Sequence, residues 1–518
     1  MEEENGRIPE RTSKVMKGRI NQSINGRITR GVKSFVNNEI VCALAASNFW
    51  SSTEYNSNNA WNCNFSSYNT NNNNKYASYK VRPVAALDDD FRVSVLEAYD
   101  DCCKHKKSSY HCIMFRLNDE VLIDLADAIA ERRYQPTVSE TFIVKVPKLR
   151  EIFAASFIDR IVQHWIYLRV NPLIEDRFRR QGDVSFNCRK GYGTLAARQR
   201  VYDDMNRFGF SDEMYVGKFD VHSFFMSIDL RILWEKLEAF IIANYTKADI
   251  DTLLYLTKIT VFHRPQDNCV RKGDLGLWEY LPQSKSLFGN GEYKGMAIGN
   301  ITAQILCNFY MSYFDEWIMQ RMAQMGVEEP ERHYCRFVDD FVLHSMPKQT
   351  IVQLYTESIS WLRENLHLEL HQDKVYIQPQ KHGVKFVGGV IMPGRVYLIN
   401  RTVGAMWNRV RYMEDLCRSI YEFGSGFTKL NTLKHCVSSL NSYEGFMRYA
   451  CTYNIQKKML NPLTYFWKVC YTTKNLSVIK IKKKYKLANY LYNEERIQQR
   501  EAAALRKRQM RARKNHQL

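Results

Sequence analysis

The 518 residues contain no apolar stretch approaching the roughly 20 residues of a membrane-spanning helix. The opening Met1-Glu2-Glu3-Glu4 is acidic and lacks a signal-peptide core. There are 13 cysteines, an odd and scattered set with no Cys-x-x-Cys pair, which argues against a disulfide frame and for free thiols in a reducing compartment. These absences set the expectation of a cytoplasmic protein. Acidic residues are in deficit: 74 Lys and Arg face 55 Asp and Glu, a net charge of +19 that fits a polyanionic partner better than a membrane surface. The hydrophobic fraction of 45% is ordinary for a globular protein, and the length leaves room for several domains.

What is present centres on Tyr334-Cys335-Arg336-Phe337-Val338-Asp339-Asp340-Phe341-Val342-Leu343, two adjacent carboxylates between apolar runs. The pattern reads as a hairpin carrying its acids at the turn. Adjacent carboxylates repel unless a cation neutralises them; a solvated turn is the alternative, since Asp is a common turn former. A second apolar strand, Tyr215-Val216-Gly217-Lys218-Phe219-Asp220, also ends in a carboxylate. Asp220 beside Asp339 and Asp340 could hold two magnesium ions, which prefer carboxylate and phosphate oxygens and clamp both oxygens of a phosphoryl transfer.

Three ordered segments carry a family resemblance. Phe337-Val338-Asp339-Asp340 resembles the aromatic-x-Asp-Asp motif of reverse transcriptases, and Phe219-Asp220 through Phe225 their first palm motif. Gly295-Met296-Ala297-Ile298-Gly299-Asn300-Ile301-Thr302-Ala303-Gln304 resembles the second, in the form found in diversity-generating retroelements. The resemblance covers residues 95 to 455 and implies an α+β, right-hand polymerase with fingers, a ferredoxin-like palm and a helical thumb. It implies an RNA-directed DNA polymerase using two Mg2+, deoxynucleoside triphosphates, a template RNA and its cDNA product. It further implies a small basic helical accessory variability protein and a bacterial or phage origin. The expected division is 1–90 Asn-rich segment, 91–215 N-terminal region and fingers, 216–395 palm, 396–473 thumb and 474–518 basic tail.

The same resemblance assigns residues. Asp220, Asp339 and Asp340 are catalytic metal ligands, with the Val221 carbonyl as a further ligand. Lys148 and Arg150, in Pro147-Lys148-Leu149-Arg150-Glu151-Ile152, face the triphosphate, where several phosphate charges need cations. Phe225 lies under the sugar and leaves no space for a 2′-hydroxyl; a core Phe is the alternative. Ile298 stands where most reverse transcriptases have Gln. An aliphatic side chain cannot donate hydrogen bonds there, which predicts loose copying opposite template adenine. Lys374 matches a lysine near the departing pyrophosphate. Arg189-Lys190-Gly191-Tyr192-Gly193 resembles a template-contacting segment, where glycines let the backbone approach a strand closely. Gly388, in Gly383-Val384-Lys385-Phe386-Val387-Gly388-Gly389, belongs to a hairpin that grips the primer end, and Asn441-Ser442-Tyr443-Glu444-Gly445 matches a thumb signature.

Outside the motifs, Asn48, Asn56, Asn58, Asn59, Asn62, Asn64, Asn69 and Asn71 to Asn74 make a biased tract, and residues 48–87 resemble the variable end of a C-type-lectin-like diversified protein. Asn codons are adenine-rich, so the tract fits a translated piece of template repeat with little stable structure. Cys102, Cys103, His105, His111 and Cys112 could supply zinc ligands, but their spacing is irregular. From Lys474 onward, 14 Lys or Arg against 3 Glu carry +11 of the total charge, either solvated or attached to RNA. A group II intron-like or phage-defence reverse transcriptase and a catalytically inactive RNA-binding scaffold remain alternatives.

Overall fold

A computed structural model describes the strands Asn48–Glu54, Asn59–Asn64 and Asn69–Asn74, and then residues 89–501 apart from 105, 108, 118, 119, 147, 209, 210, 448, 474, 475, 477 and 499. The chain divides into two units, Met1–Asp88 and Asp89–Leu518. In the first, β1 (Asn48–Glu54), β2 (Asn59–Asn64) and β3 (Asn69–Asn74) form an antiparallel sheet in sequential order. Regular structure thus appears in the tract expected to have little, because ladder hydrogen bonds come from the backbone whatever the side chain.

The second unit begins with α1 (Asp89–Cys103), α2 (Tyr110–Leu117) and α3 (Glu120–Ala130). A hairpin of β4 (Ser139–Val144) and β5 (Arg150–Ala154) follows, then the long α4 (Phe157–Arg180) and α5 (Thr194–Phe208). Ser156 caps α4, its hydroxyl accepting the Asp159 N–H at 3.2 Å. Asp159 in turn accepts from the Tyr134 hydroxyl and the Thr137 N–H, tying the helix start to the segment before β4.

The central sheet is built from β6 (Tyr215–Asp220), β8 (Tyr334–Phe337), β9 (Asp340–Met346) and β10 (Tyr376–Pro379), in the order β10-β6-β9-β8 and antiparallel throughout. Between β6 and β8 run α6 (Phe224–Ser227), α7 (Leu230–Asn244), α8 (Ile250–Phe262), β7 (Cys269–Arg271) and α9 (Ile301–Gln324). Between β9 and β10 runs α10 (Lys348–Leu366). The path is β-α-β-β-α-β with strand order 4-1-3-2, the ferredoxin-like topology. Strand alternation splits the sheet into two faces. Phe219 and Phe341 stack on one face with rings 5.1 Å apart, over a core that includes Phe309 and Phe314 of α9. Fully burying each such ring is worth roughly 1.5–3 kcal/mol. Val216, Cys335 and Val342 line the other face, against Ala197, Val201 and Met205 of α5.

β7 joins β4 in parallel, so the segment after α8 adds an edge strand to the β4–β5 hairpin. A small sheet of β11 (Val384–Phe386), β12 (Gly389–Met392) and β13 (Arg395–Leu398) follows β10. The chain then becomes helical: α11 (Asn400–Phe423), α12 (Phe427–Met447), α13 (Tyr453–Leu460) and α14 (Tyr465–Val469), around a separate core that includes Met413, Cys417, Leu433 and Phe466. β14 (Cys470–Thr472) pairs with β15 (Ile479–Ile481). Ile479 is 1% exposed, and its N–H and C=O both bond the Asn441 side chain. The boundary expected at residue 473 is therefore corrected: residues 479–481 belong to the helical unit, held by their buried Ile and that amide. Among the described residues, no helix is long and apolar enough to cross a membrane.

Candidate active site

The register of the central sheet assembles three carboxylates from two distant segments. Asp220 ends β6 directly opposite Asp340, the first residue of β9, and the Val221 N–H donates to the Asp339 carbonyl at 3.2 Å. Directly opposed Cα atoms in an antiparallel pair lie about 4.5–5.5 Å apart. Asp339 sits in the β8–β9 turn. Burial, and then the Asp340 and Asp220 charges, push its carboxyl up to about 7. Burial also raises Asp340, opposed by Lys218. Two adjacent carboxyls raised in this way, with a third carboxylate opposite them, mark a site that a cation would relieve.

Two lysines partly do so. The Lys218 ammonium lies 3.0 Å from Asp340 Oδ1, and Lys374 donates to Asp220 Oδ2. The three carboxylate side chains do not gather all their ligand atoms within 4.8 Å. A strand-and-turn set of hard oxygens of this kind fits magnesium, which keeps several waters and takes only one or two carboxylates per ion. Lys218 was absent from the sequence reading; its signal was its place two residues before Asp220, on the same strand face.

The turn itself is held by a buried polar network that sequence reasoning also missed. Val338 has φ +61°, an unfavourable value for a β-branched residue. Its N–H donates to Asn187 Oδ1 at 2.9 Å, and its carbonyl accepts from Arg336 Nη1 at 3.1 Å. Asn308 of α9 joins the two: its Nδ2 donates to the Asn187 carbonyl and its Oδ1 accepts from Arg336. The fully buried Arg336 guanidinium also forms a two-pronged pair with Asp315, at 2.6 and 2.5 Å. The detectable signal was polar Asn308 and Asp315 within the apolar run of α9.

The remaining expected residues fall in several places. Arg150, exposed at the start of β5, is near enough to Asp339 to lower its pKa. Lys148 is exposed in the β4–β5 connection. The Phe225 ring is half-buried against Phe224 and a cluster holding Phe153, Met226, Leu287 and Ala297. Its carbonyl accepts the Met296 N–H at 2.8 Å. Ile298 packs on the same cluster, and its carbonyl accepts the Phe153 N–H of β5 at 2.8 Å. Gly299 follows at φ +131°, where a Cβ would lie 2.5 Å from the Phe153 carbonyl oxygen, so only glycine permits this approach. Val221 is buried behind Asp220.

Lys190 is exposed, and Gly191 and Gly193 have positive φ with open space around them. Arg189 is different, and the expectation of a template contact there is corrected. Its side chain is 1% exposed and bonds Glu175, Asp183 and the Ser185 carbonyl, because a buried guanidinium must be paired. Gly388, at φ +82°, faces the Phe446 ring of α12, where a Cβ would meet it at 2.8 Å. Of the suggested zinc ligands, Cys103 and Cys112 are buried, His111 stacks on Phe157, and His105 lies outside the described residues.

Residues 143–391 match the family model described as reverse transcriptase (RNA-dependent DNA polymerase). Protein YkfC of Escherichia coli (strain K12) is 23% identical over 295 residues, 51% of this chain and 69% of that protein. Among solved structures, telomerase from Candida albicans with a TWJ fragment of telomeric RNA is similar at 13% identity and TM-score 0.37. That match covers 67% of this chain and 61% of the telomerase. Apo telomerase from Candida tropicalis is similar at 12% identity and TM-score 0.38, covering 63% and 60%. The chain thus spans about 60% of the length of these telomerases.

Proposed function

We propose that the chain is an RNA-directed DNA polymerase, a nucleotidyltransferase that copies RNA into complementary DNA; the match of residues 143–391 to the reverse transcriptase model supports this. The observation that carries the reading is the register that sets Asp220 opposite Asp340 with Asp339 beside them. In this reading the β4–β5–β7 sheet belongs to the fingers, the ferredoxin-like sheet is the palm, and α11–α14 form the thumb. Asp220, Asp339, Asp340 and the Val221 carbonyl would hold two magnesium ions, which supply Lewis-acid stabilisation of the attacking and leaving oxygens. The protein's own part is positioning. Arg150 and Lys148 present positive charge to the triphosphate, Phe225 blocks the 2′ position, and Lys374 moves from Asp220 to the pyrophosphate. Lys190, Gly191, Gly193 and Gly388 border the nucleic acid. Primer extension on an RNA template tests this: Asp339→Ala abolishes extension while RNA binding persists, and extension by the variant at the wild-type rate would refute catalysis at this site.

The finer reading is a diversity-generating retroelement polymerase, encoded by a bacterium or phage, that makes error-prone, adenine-directed cDNA. It works with a structured template RNA and a small basic helical accessory variability protein. Ile298 supports it: an aliphatic side chain beside the fingers strand offers no hydrogen bond to a nucleotide or template base. Ile298→Gln raises fidelity opposite template adenine, read by sequencing the cDNA. Equal error rates before and after would remove this mechanism without touching polymerase activity.

A further inference from the structure

On the sheet face that carries Asp220 and Asp340, but deeper along β9, three metal-ligating side chains converge. Asp204 comes from α5, His333 precedes β8 and His344 lies in β9. Their side chains are 5%, 2% and 0% exposed. His333 Nδ1 lies 3.4 Å and His344 Nε2 3.8 Å from the same oxygen, Asp204 Oδ2, and the three ligand atoms all lie within 4.8 Å of one another. Ligands at Zn–N and Zn–O bond lengths on a tetrahedron are separated by roughly 3.3 Å, so this triangle is close to a zinc coordination face.

The hydrogen-bond network assigns the His344 tautomer. Gln380 Nε2 donates to the Met205 carbonyl, which leaves Gln380 Oε1 as the acceptor of the Ser345 hydroxyl at 2.8 Å. The one Ser345 proton is therefore committed, and the contact between Ser345 Oγ and His344 Nδ1 at 3.3 Å needs the proton on Nδ1. Nε2 then carries its lone pair toward the Asp204 carboxylate. It is buried and has no hydrogen-bond partner. Two Lewis bases face each other with no proton between them. The backbone is shaped for this: β6 pairs Tyr215 with Met346 and Val216 with His344, leaving Ser345 as a bulge at φ +56°. Bulges of this kind re-aim side chains. Arg200 Nε also reaches Asp204 Oδ2 at 2.9 Å, but its side chain is 40% exposed and can yield that oxygen.

We propose that Asp204, His333 and His344 bind a zinc-class divalent metal that pins α5 to the strands carrying Asp339 and Asp340. Two imidazole nitrogens and one carboxylate select this class over magnesium, which distinguishes the site from the all-oxygen set at the strand ends. Asp204 Oδ1 or a water completes the coordination.

Full-length protein dialysed against magnesium buffer retains one zinc per chain. His344→Ala and Asp204→Ala lose it, and Asp339→Asn does not. Cobalt(II) exchanged into the wild type gives the visible bands of a tetrahedral site, and X-ray absorption on the zinc form shows nitrogen and oxygen neighbours. Absence of zinc and of the cobalt bands in wild type overturns the proposal. So does full zinc content in a folded His344→Ala. Sulfur neighbours in the wild-type absorption spectrum also overturn it, whether or not the variants fold.

Discussion

Glu444 of α12 is 2% exposed; its Oε2 accepts from Gln456 Nε2, while its Oε1 has no hydrogen-bond partner. Burial pushes its pKa from 4.5 up to about 7, with the Gln456 bond opposing. A raised carboxyl binds more protons folded than unfolded between these two values, so its contribution to stability falls as pH rises from 4.5 to 7 and stays unfavourable above. Glu444→Gln removes the ionisation and keeps the shape. Relative to wild type it gains roughly 1–3 kcal/mol at pH 8 and nothing at pH 4, read from denaturant midpoints at each pH. A gain independent of pH would mean the carboxyl does not titrate in this window. Phe225 poses the other residue-scale question, core aromatic or sugar gate. Its half-buried ring packs on the same cluster as Ile298, and its carbonyl accepts the Met296 N–H of the segment that leads there. If it gates the sugar, Phe225→Ala reduces the preference for deoxynucleotides by about 10-fold or more with modest loss of stability. Unchanged sugar discrimination would leave only the packing role.

At the scale of elements, the β8–β9 turn depends on Arg336. Removing one member of a buried ion pair leaves the other charge uncompensated, so Arg336→Met alone costs about 3–5 kcal/mol. It also frees the Val338 carbonyl and loosens the turn that carries Asp339. Arg336→Met with Asp315→Leu recovers much of the stability but not primer extension, since Asn308 and Val338 still lose their donor. Calorimetry with activity on the same preparations decides; full activity in the double variant would show that the turn holds its shape without this network. The strands around this turn were legible because a period of two in Val, Phe and Cys specifies a half-buried strand whatever surrounds it. The carboxylates were legible from their place at strand ends. The network was not, because Asn187, Asn308 and Arg336 are remote in sequence and each reads locally as an ordinary polar residue. Arg189 reads locally as an exposed basic residue, and its partners Glu175 and Asp183, though near in sequence, reveal a buried ion pair only once the chain after α4 folds back on the helix end. β15 hid inside a charged tail, where Ile479 and Ile481 alone mark a strand.

For the molecule as a whole, the excess of +19 is unevenly placed, and residues 474–518 carry +11 of it. Residues 502–518 hold Arg506, Lys507, Arg508, Arg511, Arg513 and Lys514 with no acidic residue among them. They lie beyond β15, so removing them leaves the Asn441–Ile479 bracket of the helical unit in place. Each phosphate neutralised on a single strand releases counterions worth about 0.7 in the slope of log K against log salt. Deleting 502–518 should therefore lower that slope by up to about 4 if all six charges contact RNA, and by nothing if they are only solvated. RNA binding titrated between low and physiological salt reads the difference. Primer extension at low salt and saturating RNA should be unchanged, because the deleted charges are remote in sequence from Asp220 and the 339–340 pair. A deletion that abolishes extension even when RNA is saturating would instead make the tail part of the catalytic unit. That outcome would contradict the proposed division between a catalytic sheet and a charge run that attaches RNA.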